Sequence, residues 1–305
     1  MSGTVLGLDI GGTKIAAGLV DADGEVTGLT SAATPIEGGQ PAIVAGVLRL
    51  AQEVRRDTAI DAVGVGTAGV VDPLTQIVSS ATDVLPGWRG ADLAAPLSES
   101  LGVPVTVIND VHAHGLGEAH FGAGRGRRSV LVVAAGTGIG GAIVVDGHLM
   151  TGESGAAGHI GHVSVPQAAG MVCSCGRTGH VEAIASGAAM ARNYQAAAVL
   201  DRPLAAAEIV RLVSVDDRAR EVVTSAGFAL GVSVGGLVNT LNPSVVVVTG
   251  GLAGSPQIWW DSVRGGFAET VLPALAQTPI VAGGVTDAAG VIGAAYAARQ
   301  GAQPC

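Results

Sequence analysis

Short apolar runs broken by glycine and aspartate dominate the first third of the chain. "TVLGLDI" (Thr4 to Ile10) ends in a glycine pair, "KIAAGLV" follows, and after the turn "DADG" comes "EVTGLTSAAT". Three such runs joined by glycine and aspartate turns predict a strand meander. "QPAIVAGVLRLAQEVRR" then shows helical spacing. "AVGVGTAGV" reads as a buried strand, "LAAPLSESLG" as a helix, and "PVTVIND" as a strand. The predicted order is three strands, helix, strand, helix, strand.

The pattern restarts near residue 129. "SVLVVAAGTGIGGAIVVDGHLMTG" contains a strand, a glycine turn and two further strands. "HVEAIASGAAMARNYQAAAV", "AAEIVRLVSVDDRAREVVTSAGFALGVSVGGLVNTLN" and "AAGVIGAAYAARQG" predict helices, and "SVVVVTGG" a buried strand closed by glycines. Each half thus opens with a hairpin whose turn is glycine-rich. Duplication of one α/β unit, with a cleft between the copies, is the predicted architecture.

Composition narrows the classes. At 305 residues the chain holds one large domain or two ordinary ones. It is 48% hydrophobic and 13% charged, and its apolar runs fall short of the roughly 18 residues that mark a membrane span. The net charge of −9, with no basic run beyond "RGRR" at Arg125 to Arg128, argues against nucleic acid as a partner. The first residues lack a charged-then-apolar leader and three cysteines make no disulfide framework, so a cytoplasmic protein is expected. The 48 glycines are expected at strand ends rather than in low-complexity tracts. The only lysine, Lys14, falls beside the first glycine turn. It reflects either a bias toward arginine or a position that needs a compact ammonium.

Three features carry candidate chemistry. The turns of "DIGGTK" and "GTGIGG" expose backbone N–H groups that a phosphate can approach, and they occur at equivalent places in the two halves. A third glycine turn, Gly250 and Gly251, closes a strand where a nucleotide base or ribose could rest. Asn109 and Asp110 end a buried strand; Asp110 is a candidate general base toward an attacking hydroxyl, or a cap for the next helix. The stretch from Gly158 to Gly187 gathers His159, His162, Cys173, Cys175, His180 and Glu182. A metal site, a catalytic thiol and chance crowding in a loop are its three readings.

Together these motifs resemble the ROK family (repressors, open reading frames and sugar kinases), within the duplicated actin-like, ribonuclease H-like ATPase fold. "LDIGGTKIAAGLVDADG" resembles the first phosphate motif, "GTGIGGAIV" the second, "VVTGGLA" the adenosine turn and "IND" the catalytic pair; "GHIGHVSV…CSCGRTGHVEAIASG" resembles the signature. The resemblance implies an ATP- and Mg²⁺-dependent kinase acting on the 6-hydroxyl of a hexose-type sugar, assembled as a homodimer or homotetramer. It implies Asp9, Gly11, Gly12, Thr13, Lys14, Gly136, Thr137, Gly138, Gly250 and Gly251 toward ATP. Toward the sugar it implies Gly69, Asn109, Asp110, His159, His162 and Glu182, with Asp110 as the catalytic base. It further implies domains of 1–109 with 289–305 and of 110–288, flanking the cleft. The repressors of the family carry an added N-terminal DNA-binding segment, and the first phosphate strand here begins at Thr4, so the enzymes are the nearer likeness. A non-catalytic sugar-binding regulator is the alternative.

Two departures from the family pattern bear on function. Its signature supplies one His and three Cys to a structural zinc; here His180 stands for the third cysteine, so the implied ligands are His162, Cys173, Cys175 and His180. Family glucokinases read Glu-x-Gly-His where this chain reads His159-Ile-Gly-His162, and "AGHIGH" with "CxCGRTGxVEAIASG" resembles the N-acetylmannosamine kinases. An imidazole can donate to an acetamido carbonyl that a carboxylate would repel. N-acetylmannosamine is therefore the expected sugar, with glucose as the alternative.

Overall fold

The computed structural model describes residues 3–82, 84–197, 202–285 and 288–301; Cys305 and the last residues of the expected first domain lie outside them. By their contacts the residues form two compact units, Met1–Arg127 with Ala142–Gly158 and Gly284–Cys305, and Arg128–Gly141 with His159–Gly283.

In the first unit, β1 (Val5–Ile10), β2 (Lys14–Val20) and β3 (Val26–Ala33) form the meander, followed by α1 (Gly39–Arg55) and β4 (Ala62–Thr67). A small hairpin, β5 (Val70–Val71) and β6 (Val78–Ser80), precedes α2 (Ala94–Leu101), β7 (Val105–Asn109) and α3 (Asp110–Phe121). The sheet order is β3-β2-β1-β4-β7, antiparallel across the meander and parallel from β1 to β7. One apolar cluster joins Leu6, Leu8 and Val65 of the sheet to Ile43 and Val47 of α1 and Leu97 of α2. A second joins Val5 and Ala62 to Val291 and Ala295 of the C-terminal helix (Ala289–Gln300), which also packs on α3.

The second unit repeats the plan. β8 (Ser129–Ala135) and β9 (Ile139–Val145) form its hairpin, and β9 runs on into the first unit, where β10 (His148–Leu149) pairs with it. Then come α4 (Glu182–Ala185), α5 (Gly187–Ala197), α6 (Ala206–Arg211), α7 (Asp217–Leu241), β11 (Val245–Thr249), α8 (Gln257–Thr270) and β12 (Ile280–Ala282); α9 is the C-terminal helix. The sheet order is β10-β9-β8-β11-β12. Strand for strand this is the order of the first sheet, so the duplication read from the two hairpins extends through five strands.

The predicted long helices are broken. Ser186, with ψ of 156°, separates α4 from α5, and residues 212–216 separate α6 from α7, whose first N–H groups are capped by the Asp216 carboxylate. α8 was not visible in the hydrophobic pattern. Nor do glycines sit only at strand ends. A Cβ on Gly231 of α7 would lie 2.0 Å from the Val263 carbonyl oxygen, and one on Gly266 of α8 would lie 2.1 Å from that of Phe228. Those glycines let the two helices touch backbone to backbone. α7 is long and apolar enough to cross a bilayer by length and composition alone, but it packs along α8 with Val223, Leu230, Val234 and Val238 buried.

Candidate functional site

In the first unit the chemistry collects at the carboxyl ends of the parallel strands, where α/β sheets bind ligands. Asp9 lies one residue before the end of β1. The turn that follows is closed by Gly11 N–H to the Lys14 carbonyl at 3.0 Å and braced by the Thr34 hydroxyl, which donates to the Gly11 carbonyl at 2.7 Å. Thr13 and Lys14 are exposed at its tip. β7 ends in Asn109, and Asn109, not Asp110, caps α3: its side-chain oxygen accepts from the His112 N–H at 3.1 Å. The same amide donates to the Gly69 carbonyl at 2.9 Å and to Asp110 Oδ1 at 2.8 Å. Gly69 has φ of 96° and a Cβ there would lie 2.6 Å from the Ser80 carbonyl oxygen, so only glycine turns the chain here. Freed from capping, Asp110 opens the first turn of α3.

The Asp110 carboxyl is pushed up from its ordinary value. Burial is the main cause and the charge of Asp9 the second; the Val111 N–H, His114 and Asn109 oppose them. A carboxylate so raised accepts a proton more readily, as a general base must. His114, one turn along α3, approaches Asp9 Oδ2 through Nε2 at 3.2 Å. Burial lowers its pKa, but the Asp9 hydrogen bond and the charges of Asp9, Asp110 and Glu118 outweigh that and raise it. His114 was not singled out from sequence, although the four-residue step from Asp110 puts the two on one helix face. His112 is a second omission: it is buried, and its Nε2 lies 2.7 Å from the Ala157 carbonyl oxygen, two residues before His159.

In the second unit the turn Gly136–Gly138 is closed by Gly136 N–H to the Gly138 carbonyl at 3.0 Å, with Thr137 and Gly138 exposed. Its rear is held by the start of α5, whose Gly187 and Ala188 N–H groups donate to the Gly136 and Thr137 carbonyls at 2.8 and 3.2 Å. Gly250, with φ of 84°, packs against Ala135, the residue before this turn. The adenosine-type turn and the second phosphate-type turn are therefore neighbours.

The His/Cys loop folds as a knuckle. Isolated antiparallel bridges join Ser164 to His180 and Val172 to Thr178, and the Cys173 N–H donates to the Arg177 carbonyl at 2.7 Å. They bring one ligand atom each of His162, Cys173, Cys175 and His180 within 4.8 Å of one another. Cys173 Sγ lies 3.6 Å from His162 Nδ1, and Cys175 Sγ lies 3.3 Å from His180 Nδ1. Metal–ligand bonds of about 2.0–2.3 Å in a tetrahedron give ligand–ligand edges of roughly 3.3–3.8 Å; these two Sγ–Nδ1 distances match such edges, within a set of four that spans up to 4.8 Å. With Nδ1 toward the cysteines, His162 keeps Nε2 on the far side of its ring. Burial, followed by the neighbouring His180 and His159, lowers the His162 pKa against the pull of Glu182, favouring the neutral imidazole a metal requires. Burial pushes the Cys173 thiol up, opposite to what a thiolate nucleophile needs. Glu182 Oε2 accepts from the Ile139 N–H at 2.9 Å, and Oε1 accepts from the Ser174 hydroxyl at 2.5 Å.

The model of the ROK family matches residues 5–301. The chain belongs to the ROK family. It is 32% identical over 325 residues to the glucokinase of Streptomyces coelicolor (strain ATCC BAA-471 / A3(2) / M145), covering 98% of each chain. It is 31% identical over 305 residues to the N-acetylmannosamine kinase of Salmonella newport (strain SL254), covering 97% of this chain and 98% of that one. Its fold matches the crystal structure of a ROK family glucokinase from Streptomyces griseus in complex with glucose and AMPPNP. The TM-score is 0.85 at 30% identity, over 98% of this chain and all of that one. The two sheet-containing units of this ROK chain are thus of the actin-like ATPase fold.

Proposed function

We propose that the protein is an ATP-dependent sugar kinase that phosphorylates the 6-hydroxyl of a hexose-type sugar, N-acetylmannosamine in preference to glucose. Asp110 carries the reading: a carboxylate at a strand end, on the first turn of α3, raised by burial and by Asp9. The hydroxyl oxygen attacks the γ-phosphorus, its proton passes to Asp110, and the bond from that phosphorus to the bridging oxygen breaks to release ADP. Asp9 would hold Mg²⁺ through its water shell, and Mg²⁺ supplies charge neutralisation at the phosphates. The N–H groups of the turns 11–14 and 136–138 suit the phosphates, and Gly250 and Gly251 suit the adenosine. His162, Cys173, Cys175 and His180 would hold zinc, whose part is to fix the loop. Glu182 and Nε2 of His162 are the proposed partners of the sugar hydroxyls. A homodimer or homotetramer in the cytoplasm completes the proposal, in keeping with free thiols.

The sugar preference rests on His159, where a neutral imidazole can donate to an acetyl carbonyl. Glucose is the second reading, favoured by the glucokinases among the relatives. An ADP-release assay over a sugar panel separates them. N-acetylmannosamine should give the higher kcat/KM, and His159→Glu should move the ratio toward glucose by roughly ten- to a hundredfold, the worth of one matched polar contact. Glucose preferred by the unmodified protein, with an unchanged ratio in His159→Glu, sinks the acetamido reading. No turnover with any sugar sinks the kinase reading.

A further inference from the structure

Glu182 is the residue proposed above as a sugar partner, yet both its carboxylate oxygens are engaged within the protein. Oε2 accepts from the backbone N–H of Ile139, the residue that ends the second glycine turn; Oε1 accepts from the Ser174 hydroxyl, between the two cysteines of the metal loop. The turn is shaped around this carboxylate. A Cβ on Gly138 would lie 2.9 Å from Oε2, and Gly138 has no positive φ that would itself require glycine. What glycine provides at 138 is room for Glu182.

We propose that Glu182 is a positioning residue for the nucleotide turn, holding the Ile139 amide with one oxygen and the metal loop with the other. The helix that begins at Glu182 is short, but the segment it opens is fixed to the turn a second time through the Gly187 and Ala188 N–H groups. Two elements far apart in sequence are therefore set by one side chain. Turn 136–139 keeps its phosphate-ready shape only while an acceptor oxygen at position 182 faces the Ile139 N–H. A hydroxyl donating to the same carboxylate alters the turn's support, so ligands of the metal loop and of the turn are coupled, and the coupling is reciprocal. The inference rests on the reading of turn 136–138 as a phosphate cradle, but its structural half does not.

Three variants of the full chain test it, with amide hydrogen exchange of segment 136–141 and the Kd for AMPPNP without sugar as readouts. Glu182→Ala should speed exchange at Ile139 by about tenfold or more and raise the AMPPNP Kd by about tenfold, the usual scale for one charge-assisted hydrogen bond. Glu182→Gln keeps an amide oxygen for the Ile139 N–H, so both readouts should stay within about threefold of wild type while sugar affinity falls. Gly138→Ala keeps Glu182 but sets a methyl against Oε2, and should also speed Ile139 exchange; it decides the matter if Glu182→Ala does not fold. Wild-type exchange at Ile139 in both Glu182→Ala and Gly138→Ala overturns the proposal. Faster exchange with an unchanged AMPPNP Kd overturns its nucleotide half. A wild-type protein that binds no AMPPNP overturns the phosphate-cradle reading instead, and Ile139 exchange still decides the role of Glu182.

Discussion

Replacing Glu118 tests how firmly the helix that bears Asp110 is anchored at its other end. Glu118 lies on the last turns of α3 and is fully buried. Oε2 accepts from the N–H groups of Ala123 at 3.0 Å and Gly284 at 2.9 Å, and Oε1 from that of Val285 at 3.0 Å. Three backbone donors, two of them more than 160 residues away in sequence, thus converge on one carboxylate. Glu118→Ala strips all three of their acceptor. At about 1–3 kcal/mol per stranded donor, and discounting because these donors are only part-buried and water can enter the hole, the loss is about 3–5 kcal/mol. Glu118→Gln is milder. Its amide oxygen at the Oε2 position keeps Ala123 and Gly284, while its NH₂ meets the Val285 N–H donor to donor, for about 1–2 kcal/mol. Against a typical total of about 5–15 kcal/mol, the alanine variant should be near the edge of folding and the glutamine variant should not. Urea unfolding followed by circular dichroism measures both midpoints, with equal slopes as the control. A glutamine variant within about 0.5 kcal/mol of wild type, or an alanine variant no worse than the glutamine one, would show that the carboxylate does not anchor the helix.

As the proposed base Asp110 would act only when ionised, and its pKa is raised, so kcat/KM should fall on acidification at a pH above the ordinary aspartate range. His114→Ala removes a charge that holds Asp110 down, so that limb should move to higher pH; a downward shift or none contradicts the assignment. Asp110→Asn should bind sugar nearly normally but lose about 10²-fold or more in kcat, and near-normal turnover would remove Asp110 from the chemistry. Elemental analysis should find one zinc per chain, and Cys175→Ala should lose both the metal and the sugar affinity; full sugar affinity without metal would mean the knuckle holds its shape unaided.

Much of this was legible in the sequence because the elements that matter are local. A glycine turn between two apolar runs specifies a hairpin from its own residues, and CxC with two histidines nearby specifies a donor set. Asn109-Asp110 was recognisable as a pair, but not which of them caps α3, since that depends on the Gly69 carbonyl 40 residues away. The breaks at Ser186 and 212–216 were hidden because alanine- and valine-rich sequence keeps the same apolar pattern across a kink. α8 was hidden by its Gly265-Gly266 pair, which reads as a turn until α7 is known to need the space. Glu182 illustrates the same limit: its partners Ser174 and Ile139 come from a loop and from the start of β9, and spacing alone relates neither to a carboxylate at 182.

The matched strand orders separate what the fold supplies from what this chain adds. Both sheets place a glycine turn between their first two strands and a glycine after the strand parallel to the first: Gly69 after β4, Gly250 after β11. The glycine turns proposed for phosphate therefore arise twice from topology. The fifth strands differ. β7 runs into Asn109-Asp110, and β12 into Ala282 and Gly283, so a carboxylate follows the fifth strand in one copy only. The His/Cys cluster lies between β10 and α4, and the equivalent stretch between β3 and α1 carries no histidine or cysteine. The proposed proton transfer and the proposed loop-borne recognition thus fall on different copies of one scaffold. Under the proposed roles, substitutions at His159 or in the knuckle would change which molecule is selected while Asp110 keeps its environment of Asp9, His114 and Asn109. That independence ends at Glu182, where the knuckle is fastened to a phosphate-type turn through a single carboxylate.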